Sequence, residues 1–279
     1  MAEVLISTKS RKAEENMNQK EAALYLKRLH YEDTVQPGTD ALEKLIRAHL
    51  EQIPFENLDV FDFGKVPDLN EKVLFDKVVV QKRGGVCFEL NLLFLSLLEC
   101  LNYQVYPVAA RILWNKTEMP PLTHVGLIAE VEEELFYCDV GYGGPGPKGL
   151  IAIKPGEQEV DGCRFRFLRM TDGDYRLDRL HHGEWKALLQ FADRPVRRLD
   201  FQVLNFYCAR NPVIMFTQKR VINLCTPEGS KALTDLELTV HENGEIRRTI
   251  YKDLEELEKG LEVEFGLRVS LAGSIRKGE

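Results

Sequence analysis

The stretch that decides the fold is residues 83–98, which read RGGVCFELNLLFLSLL. After the two glycines nearly every position is apolar, and only Glu89, Asn91 and Ser96 interrupt the run. A helix that is apolar on all sides has to be buried in the protein interior. We therefore expect a central buried helix that begins at Cys87, directly after the glycine breaker.

Upstream of this helix, the apolar residues recur three or four positions apart. This spacing predicts amphipathic helices over 21–29 and 40–50, and a third helical segment over 70–80. Thr39 or Asp40 is a suitable N-cap for the second helix. The first third of the chain is therefore predicted to be helical.

Downstream of this helix, the sequence changes to runs of β-branched and aromatic residues, which are separated by residues typical of turns. Strands are predicted over 103–114, 124–131, 134–140, 165–170, 201–206, 213–225 and 233–240. A closing helix is predicted over 251–265, with Leu254, Leu257, Leu261 and Val263 as its apolar positions. The sequence therefore predicts the α+β class, with helices first, then an antiparallel barrel or sheet, and then a small mixed lobe.

Charge and hydropathy exclude several classes of protein. The 279 residues carry 37 Lys and Arg against 44 Asp and Glu, a net charge of −7. Such a balance argues against broad binding to nucleic acid or anionic lipid. No apolar run approaches the length of about 20 residues that a membrane span needs, and the first twenty residues are too polar for a signal peptide. We therefore expect a cytoplasmic protein that binds neither nucleic acid nor membrane.

The cysteines and histidines do not form metal motifs. The six cysteines contain no CxxC pair and the six histidines form no HExxH, so no metal is expected. In a chain of this length without an export signal, the cysteines are interpreted as reduced thiols.

Cys87 is the candidate nucleophile. At the start of the buried helix, its sulfur faces unpaired N–H groups and the positive end of the helix dipole, which lower a thiol pKa to about 3.5–7.5 in reactive cysteines. A lone buried cysteine is more often inert, so the interpretation needs partners.

His124 and Asp139 are the candidate partners, because a short turn near Glu132 and Glu133 can join their strands as a hairpin. A turn centred on residues 131–132 places His124 opposite Asp139, and a turn centred on 132–133 shifts the pair by two residues. Both registers leave the two side chains on one face, because faces alternate with a period of two. The carboxylate can then orient the imidazole.

Cysteine, histidine and aspartate together form a relay in which the thiolate attacks a carbonyl and a thioester results. The three residue types alone leave the class of enzyme open. An acyltransferase, a papain- or transglutaminase-like enzyme that acts on peptides or glutamine amides, and a binding protein with an inactive triad all remain candidates.

Four motifs narrow the choice. They are PFENL at 54–58, RGGVCFELN at 83–91, Thr123-His124, and DVGYG at 139–143. In order and spacing, they resemble the arylamine N-acetyltransferase family. The resemblance implies an acetyl-CoA-dependent ping-pong enzyme in which Cys87 accepts the acetyl group and an arylamine, arylhydrazine or N-hydroxyarylamine takes it from the thioester. CoA and a small-molecule amine are the implied partners.

The resemblance also implies a domain plan and a set of site residues. A helical bundle (1–103) would carry the nucleophile, a β-barrel (104–208) the histidine and aspartate, and an α/β lid (209–279) would close a core like that of cysteine proteases. Its catalytic residues correspond to Cys87, His124 and Asp139. Substrate- or CoA-binding roles are expected at Phe55, Phe88, Thr123, Tyr142, Gly143 and Thr217, the last within a segment that resembles lid strands.

Three further motif residues, Glu56, Asn57 and Arg83, are expected to support the site. Arg83 and Glu56 are of opposite charge and can lock the loop before Cys87 to the loop at Phe55. The glycine-rich loop after Asp139 matches neither phosphate-binding fingerprint, so CoA would be held without one.

Overall fold

The computed structural model of the chain describes residues 17–275, so most of the first twenty residues, which are too polar for a signal peptide, lie outside the described residues. Within the described part the helices are α1 (Gln19–Arg28), α2 (Thr39–Gln52), α3 (Leu58–Phe61), α4 (Glu71–Phe75), α5 (Cys87–Cys100), α6 (Phe201–Arg210), α7 (Met215–Gln218) and α8 (Leu254–Phe265). A π-helical turn (Asp76–Val80) extends α4, and a 3₁₀ turn (Arg198–Asp200) leads into α6.

The strands are β1 (Phe55–Glu56), β2 (Gln104–Ile112), β3 (His124–Val131), β4 (Glu134–Cys138), β5 (Ile151–Ala152), β6 (Glu157–Val160), β7 (Cys163–Arg169), β8 (Tyr175–His181), β9 (Glu184–Phe191), β10 (Val221–Thr226), β11 (Gly229–Thr234), β12 (Glu237–Glu242) and β13 (Glu245–Ile250).

Helix α5 is the centre of the main core. Every residue from Cys87 to Leu98 is buried, as the apolar run predicts. The helix N-terminus is capped by its own side chain, since Glu89 Oε2 accepts the Val86 N–H at 2.9 Å. The other oxygen, Glu89 Oε1, accepts from Lys77 Nζ at 2.7 Å, so this buried carboxylate is also paired. The start of α5, and Cys87 with it, is therefore fixed in place.

Eight antiparallel strands form a nearly closed barrel in the order β5-β4-β3-β2-β9-β8-β7-β6. The two end strands meet through Gln158, whose side chain bonds both the N–H and the carbonyl of Ala152, at 2.9 and 2.8 Å. A side-chain amide thus supplies the hydrogen bonds that a strand ladder would make at the seam.

The remaining strands form a five-stranded antiparallel sheet, ordered β1-β10-β11-β12-β13, against which α8 packs. Strand β1 comes from the helical part of the chain and pairs with β10 in the register Phe55 with Asn223 and Glu56 with Ile222. The predicted α+β class, with helical bundle, antiparallel barrel and α/β lid, is confirmed.

Several local predictions are wrong. Residues 201–206 form part of helix α6 instead of a strand, because Phe201, Asn205 and Cys208 turn inward at helical spacing. The predicted strand over 213–225 contains α7 before β10, so Phe216 and Thr217 are helical and not part of a lid strand. The predicted strand over 233–240 is divided by a turn at Asp235, whose φ is 54°.

Smaller differences concern caps and surface positions. The N-cap of α2 is Gly38, without a side-chain hydrogen bond, so neither Thr39 nor Asp40 caps it. Val263 is 80% exposed and does not belong to the inner face of α8. Six strands have no counterpart among the predicted strands: β1, β5, β6, β8, β9 and β13. Across residues 17–275, no helix combines the length and the apolar character needed to cross a bilayer.

Candidate active site

Cys87 lies at the first position of α5 and is 2% exposed. Its Sγ is 3.8 Å from the carbonyl oxygen of Thr123, the residue that precedes His124 at the start of β3. The loop after Asp139 packs on the same point, since a Cβ built on Gly141 would lie 2.8 Å from Cys87 Cα. The helix N-terminus, the start of β3 and the loop after β4 therefore converge on Cys87.

His124 and Asp139 are joined by the hairpin that the sequence predicts. Strands β3 and β4 pair Val131 with Glu134, so the turn is centred on Glu132 and Glu133, the second of the two predicted registers. Both turn residues have positive φ, 53° and 66°, as a type I′ turn requires. His124 Nε2 lies 2.6 Å from Asp139 Oδ2. Nε2 is therefore the ring nitrogen that faces the carboxylate.

Four donors surround the Asp139 carboxylate. Oδ2 accepts from His124 and from the Tyr137 hydroxyl at 2.8 Å, and Oδ1 accepts from Asn91 Nδ2 and the Gly141 N–H, both at 2.9 Å. Burial pushes the pKa of Asp139 upward, but the charge of His124 and these hydrogen bonds outweigh it and hold the pKa below its usual value. Asp139 is therefore a buried carboxylate that stays ionised.

The environment of Cys87 differs from the one predicted. Burial, followed by the neighbouring Cys208 and Asp139, raises the pKa of the Cys87 thiol well above its usual value, although the backbone N–H groups of Val125 and Phe88 oppose this. The expected lowering by the helix N-terminus is therefore outweighed by desolvation in this closed arrangement.

Asn91 and Tyr137 are parts of the site to which the sequence analysis gave no role. Asn91 follows Cys87 by one helical turn, and its amide links Asp139, the Val125 carbonyl at 2.8 Å and the Val140 N–H at 2.9 Å. Tyr137 precedes Asp139 by two residues on the same strand face. A buried polar position one turn from the nucleophile, and a tyrosine at strand spacing from the acid, are the signals that could have found them.

The predicted lock between Arg83 and Glu56 is present. Glu56 Oε1 accepts from Arg83 Nε at 2.9 Å and from Arg83 Nη2 at 2.7 Å, and Glu56 is fully buried. The contact between the two loops is close, since a Cβ on Gly84 would overlap the Pro54 carbonyl. The loop before Cys87 is therefore held against β1.

Asn57 connects this region to the lid. Its Nδ2 donates to the carbonyls of Phe216 and Lys219, at 3.0 and 2.7 Å, and its Oδ1 accepts the Val221 N–H at 2.7 Å. All three partners lie in α7 or around the start of β10. A single buried side chain thus orients the segment between α7 and β10.

A cavity of about 380 Å³ lies between the barrel, the lid and the loop after Asp139. Of the predicted binding residues, Phe55, Tyr142 and Gly143 line it, together with Asp139. Gly143 has φ +71°, and a Cβ there would lie 2.6 Å from the Phe55 ring, so glycine is required both for the turn and for the contact. The Tyr142 ring meets the His124 ring edge-on at 5.6 Å between centroids.

The other three predicted binding residues are not among those that line the cavity. Phe88 is fully buried and packs against Phe201 with ring centroids 6.2 Å apart. Thr217 is half-buried in α7, where its hydroxyl donates to the carbonyls of Asn211 and Ile214. Thr123 contributes its carbonyl oxygen to the sulfur of Cys87.

Three cationic side chains from different elements line the cavity. Arg179 comes from β8, Lys148 from the glycine-rich loop and Lys231 from β11. Lys148 and Lys231 are each paired, with Asp161 at 3.3 Å and Glu264 at 3.0 Å, and Arg179 donates to the Pro145 carbonyl at 2.7 Å. Among residues 17–275 no cluster of three or more His, Cys, Asp or Glu is arranged to hold a metal ion.

Comparison with known proteins gives a consistent family. Residues 39–274 match a family model described as N-acetyltransferase. The chain is 31% identical over 250 residues to the arylamine N-acetyltransferase / N-hydroxyarylamine O-acetyltransferase of Salmonella typhimurium, covering 88% of each protein. The solved arylamine N-acetyltransferase from Salmonella typhimurium superposes with a TM-score of 0.86 at 28% identity, covering 94% of this chain and 96% of that one.

A second solved structure carries a ligand. The arylamine N-acetyltransferase of Mycobacterium marinum in complex with CoA superposes with a TM-score of 0.81 at 28% identity, covering 88% of this chain and 93% of that one.

Proposed function

The chain belongs to the arylamine N-acetyltransferase family, and we propose that Cys87, His124 and Asp139 are the catalytic triad with which it works. The enzyme transfers an acetyl group from acetyl-CoA to the nitrogen of arylamines. The observation that carries the assignment of residues is the 2.6 Å bond between His124 and Asp139 beside a sulfur fixed on the Thr123 carbonyl.

In the first half-reaction, Cys87 Sγ attacks the acetyl carbonyl carbon of acetyl-CoA while its proton passes to His124 Nδ1. The backbone N–H of Cys87, at the helix start, is the natural donor to the oxyanion that forms. When the tetrahedral intermediate collapses, the carbon–sulfur bond to CoA breaks, His124 returns the proton to the departing sulfur, and a thioester remains on Cys87. Asp139 holds the imidazole in the required tautomer throughout.

Burial supports this pairing. Ionising the Cys87 thiol alone would place an isolated charge in the interior, which is costly. Moving its proton to His124 instead creates a thiolate beside an imidazolium that already faces the Asp139 carboxylate, so the new charges are paired where they form. The raised pKa of the isolated thiol is therefore compatible with reaction through the pair.

In the second half-reaction, the amine nitrogen attacks the thioester carbonyl and His124 accepts a proton from it. The carbon–sulfur bond to Cys87 breaks and the thiol is regenerated with that proton. Phe55 and Tyr142 give the cavity aromatic walls, which suit a flat aryl ring. Arylhydrazines present a similar ring and nucleophilic nitrogen, so we include them with arylamines and N-hydroxyarylamines as acceptors.

We propose that the cavity between barrel and lid is the path of CoA. Asp139 is among its lining residues, and Lys148, Arg179 and Lys231 line it with cationic groups, of which Lys148 and Lys231 would exchange Asp161 and Glu264 for the phosphates of CoA. Glycines in the wall leave backbone N–H groups accessible to a ligand. No metal takes part in the chemistry proposed.

The wider assignments follow from the same features. We propose a helical region (1–103), a barrel region (104–208) and a lid region (209–279), with α6 as the connection between barrel and lid. The six free thiols and the net charge of −7 support a cytoplasmic enzyme that binds small molecules, without nucleic acid or membrane as a partner.

The test is acetylation of the protein itself. Incubation with acetyl-CoA without acceptor should add one acetyl group to Cys87, detected by intact mass and peptide mapping, and a later addition of an arylamine should remove it. Cys87→Ser should neither gain the acetyl group nor turn over. An absent adduct together with cleavage of a peptide or glutamine amide would favour a papain- or transglutaminase-like enzyme instead. Ligand binding without adduct or turnover would indicate a binding protein.

A further inference from the structure

A second thiol lies beside the nucleophile. Cys87 Sγ is 3.8 Å from the Thr123 carbonyl oxygen, and Cys208 Sγ is 3.7 Å from the same oxygen. Two atoms that both contact a third can be no farther apart than the two distances combined. The two sulfurs therefore belong to one cluster, although 121 positions separate the cysteines in the chain.

The two thiols are both buried and interact electrostatically. Cys87 and Cys208 are each 2% exposed, so both thiols are shielded from bulk water. The charge that Cys208 would carry as a thiolate is, after burial, the largest cause that raises the pKa of Cys87. The shared carbonyl oxygen is the geometric observation that places the two sulfurs near each other, and the electrostatic interaction follows from that placement. Cys163, by contrast, lies in the cavity wall with its sulfur 3.1 Å from an Arg179 nitrogen.

We propose that Cys208 is a resolving cysteine that forms a reversible disulfide with Cys87 when a hydroperoxide oxidises the nucleophile. The loss of activity expected from this bond rests on the proposed role of Cys87, whereas the bond itself does not. The disulfide would store the nucleophile in a form that a thiol can reduce.

The chemistry balances in two steps. The Cys87 sulfur attacks the distal oxygen of a hydroperoxide, the O–O bond breaks, and Cys87 sulfenic acid and water or an alcohol result. The Cys208 sulfur then attacks the sulfenic sulfur, the S–O bond breaks, and the hydroxyl leaves as water with the thiol proton of Cys208. The sulfur pair loses two electrons, which reduce the hydroperoxide. Without Cys208, a second hydroperoxide carries Cys87 to sulfinic acid, which thiols do not reduce.

Formation of the bond requires the two sulfurs to approach each other. A disulfide needs an S–S distance of about 2.05 Å and Cα atoms within roughly 7 Å, so both side chains have to leave their contact with the Thr123 carbonyl oxygen. Helix α6 is packed on one side only: Phe201 and Cys208 are inward, whereas Val203 and Phe206 are 72% and 58% exposed. A helix at the surface can shift more readily than α5, which is buried on all sides.

The experiment maps the bond directly. The full-length protein is treated with hydrogen peroxide at one equivalent and in excess, remaining thiols are blocked with N-ethylmaleimide, and peptides are mapped by mass spectrometry without reduction. The expected result is a linked peptide pair that contains Cys87 and Cys208, with a mass lower by two hydrogens. Dithiothreitol should return most of the acetyl-accepting capacity of Cys87.

Variants test the protective role. Cys208→Ser should yield Cys87 with two added oxygens and should recover several-fold less capacity after dithiothreitol than the parent protein. Cys100→Ser, which removes a half-buried thiol at the far end of α5, should behave as the parent does. If Cys208→Ser folds poorly, as judged by thermal unfolding, the peptide map of the parent protein decides alone.

Three results would overturn the proposal: no linked pair in the parent protein, a link from Cys87 to a different cysteine, or equal recovery in Cys208→Ser. A protein that forms the Cys87–Cys208 link but never accepts an acetyl group would instead refute the proposed function and leave the disulfide standing.

Discussion

Tyr137→Phe tests how much the carboxylate of the site depends on its buried donors. The substitution removes one hydroxyl, which donates to Asp139 Oδ2 at 2.8 Å. It keeps the ring, which stacks on Phe191 with centroids 5.4 Å apart and planes at 20°. The change therefore isolates one hydrogen bond to a charged group in a fully buried position.

The expected cost follows from that geometry. A hydrogen bond to a charged group contributes about 1.5–3 kcal/mol to the free energy of unfolding. For a protein of this size, each kcal/mol lowers the melting temperature by about 2–4 °C, so a decrease of several degrees is expected at neutral pH. The matched control is Tyr103→Phe, whose hydroxyl bonds only neutral groups. It donates to the Gly38 carbonyl at 3.2 Å and accepts the Gly38 N–H at 3.3 Å, and its loss should cost about 0.5–1.5 kcal/mol.

The dependence on pH gives a second readout. The folded pKa of Asp139 lies below its usual value, so its charge stabilises the fold fully above the unfolded pKa of about 3.9, and this contribution is lost as the pH falls through the folded pKa. The Tyr137 hydroxyl bonds the charged form. The difference in unfolding free energy between the parent and Tyr137→Phe should therefore be complete at neutral pH and shrink below about pH 4.

Denaturant unfolding at a series of pH values measures both effects, and the acetylation rate of Cys87 in a single turnover should fall by at most about tenfold, equivalent to roughly 1.4 kcal/mol. The reasoning is refuted if Tyr137→Phe costs no more than Tyr103→Phe, or if its cost stays the same at acid pH.

Three other perturbations address separate parts of the site. Asp139→Asn should slow acetyl transfer by about 10⁴-fold because the imidazole tautomer is no longer fixed, and unchanged single-turnover rates would place the functional acid elsewhere. Gly141→Ala should lower the free energy of unfolding by about 1–3 kcal/mol, because the added methyl group clashes with the start of α5. The control Gly144→Ala, whose added methyl group would meet its nearest neighbour at 4.0 Å, should change the free energy of unfolding by less than about 0.5 kcal/mol. Equal effects of the two substitutions in thermal unfolding would contradict the packing argument. Glu56→Gln should cost about 3 kcal/mol because it removes the buried charge that faces the partly buried Arg83, and a denaturant midpoint within error of the parent would show that the ion pair is not needed.

The sequence was most informative where the pattern is local. The run from Cys87 to Leu98 is apolar on every face, which only a buried helix accommodates. The hairpin was predictable for a similar reason, since a period of two places His124 and Asp139 on one face in either register. Choosing between the registers requires the backbone angles at Glu132 and Glu133, which the side chains do not dictate strongly.

The sequence was least informative where tertiary contacts decide. The apolar residues of 201–206 fit a strand as well as a helix, and only the inward placement of Phe201 and Cys208 makes the helix the better solution. Strands β8 and β9 are rich in charged residues, and their register depends on partners such as the Arg166–Asp178 pair across β7 and β8. The direction of the Cys87 pKa also required burial, which a sequence does not measure.

The strand Phe55–Glu56, hydrogen-bonded into the C-terminal sheet, has a consequence for protein engineering. Residues 209–275 are hydrogen-bonded to the N-terminal third of the polypeptide both through this strand pairing and through Asn57. They therefore cannot be exchanged as an independent unit. A chimera that takes only the C-terminal segment from a relative would lose the native pairing between β1 and β10. Grafts should therefore carry residues 54–58 along with the segment they transplant.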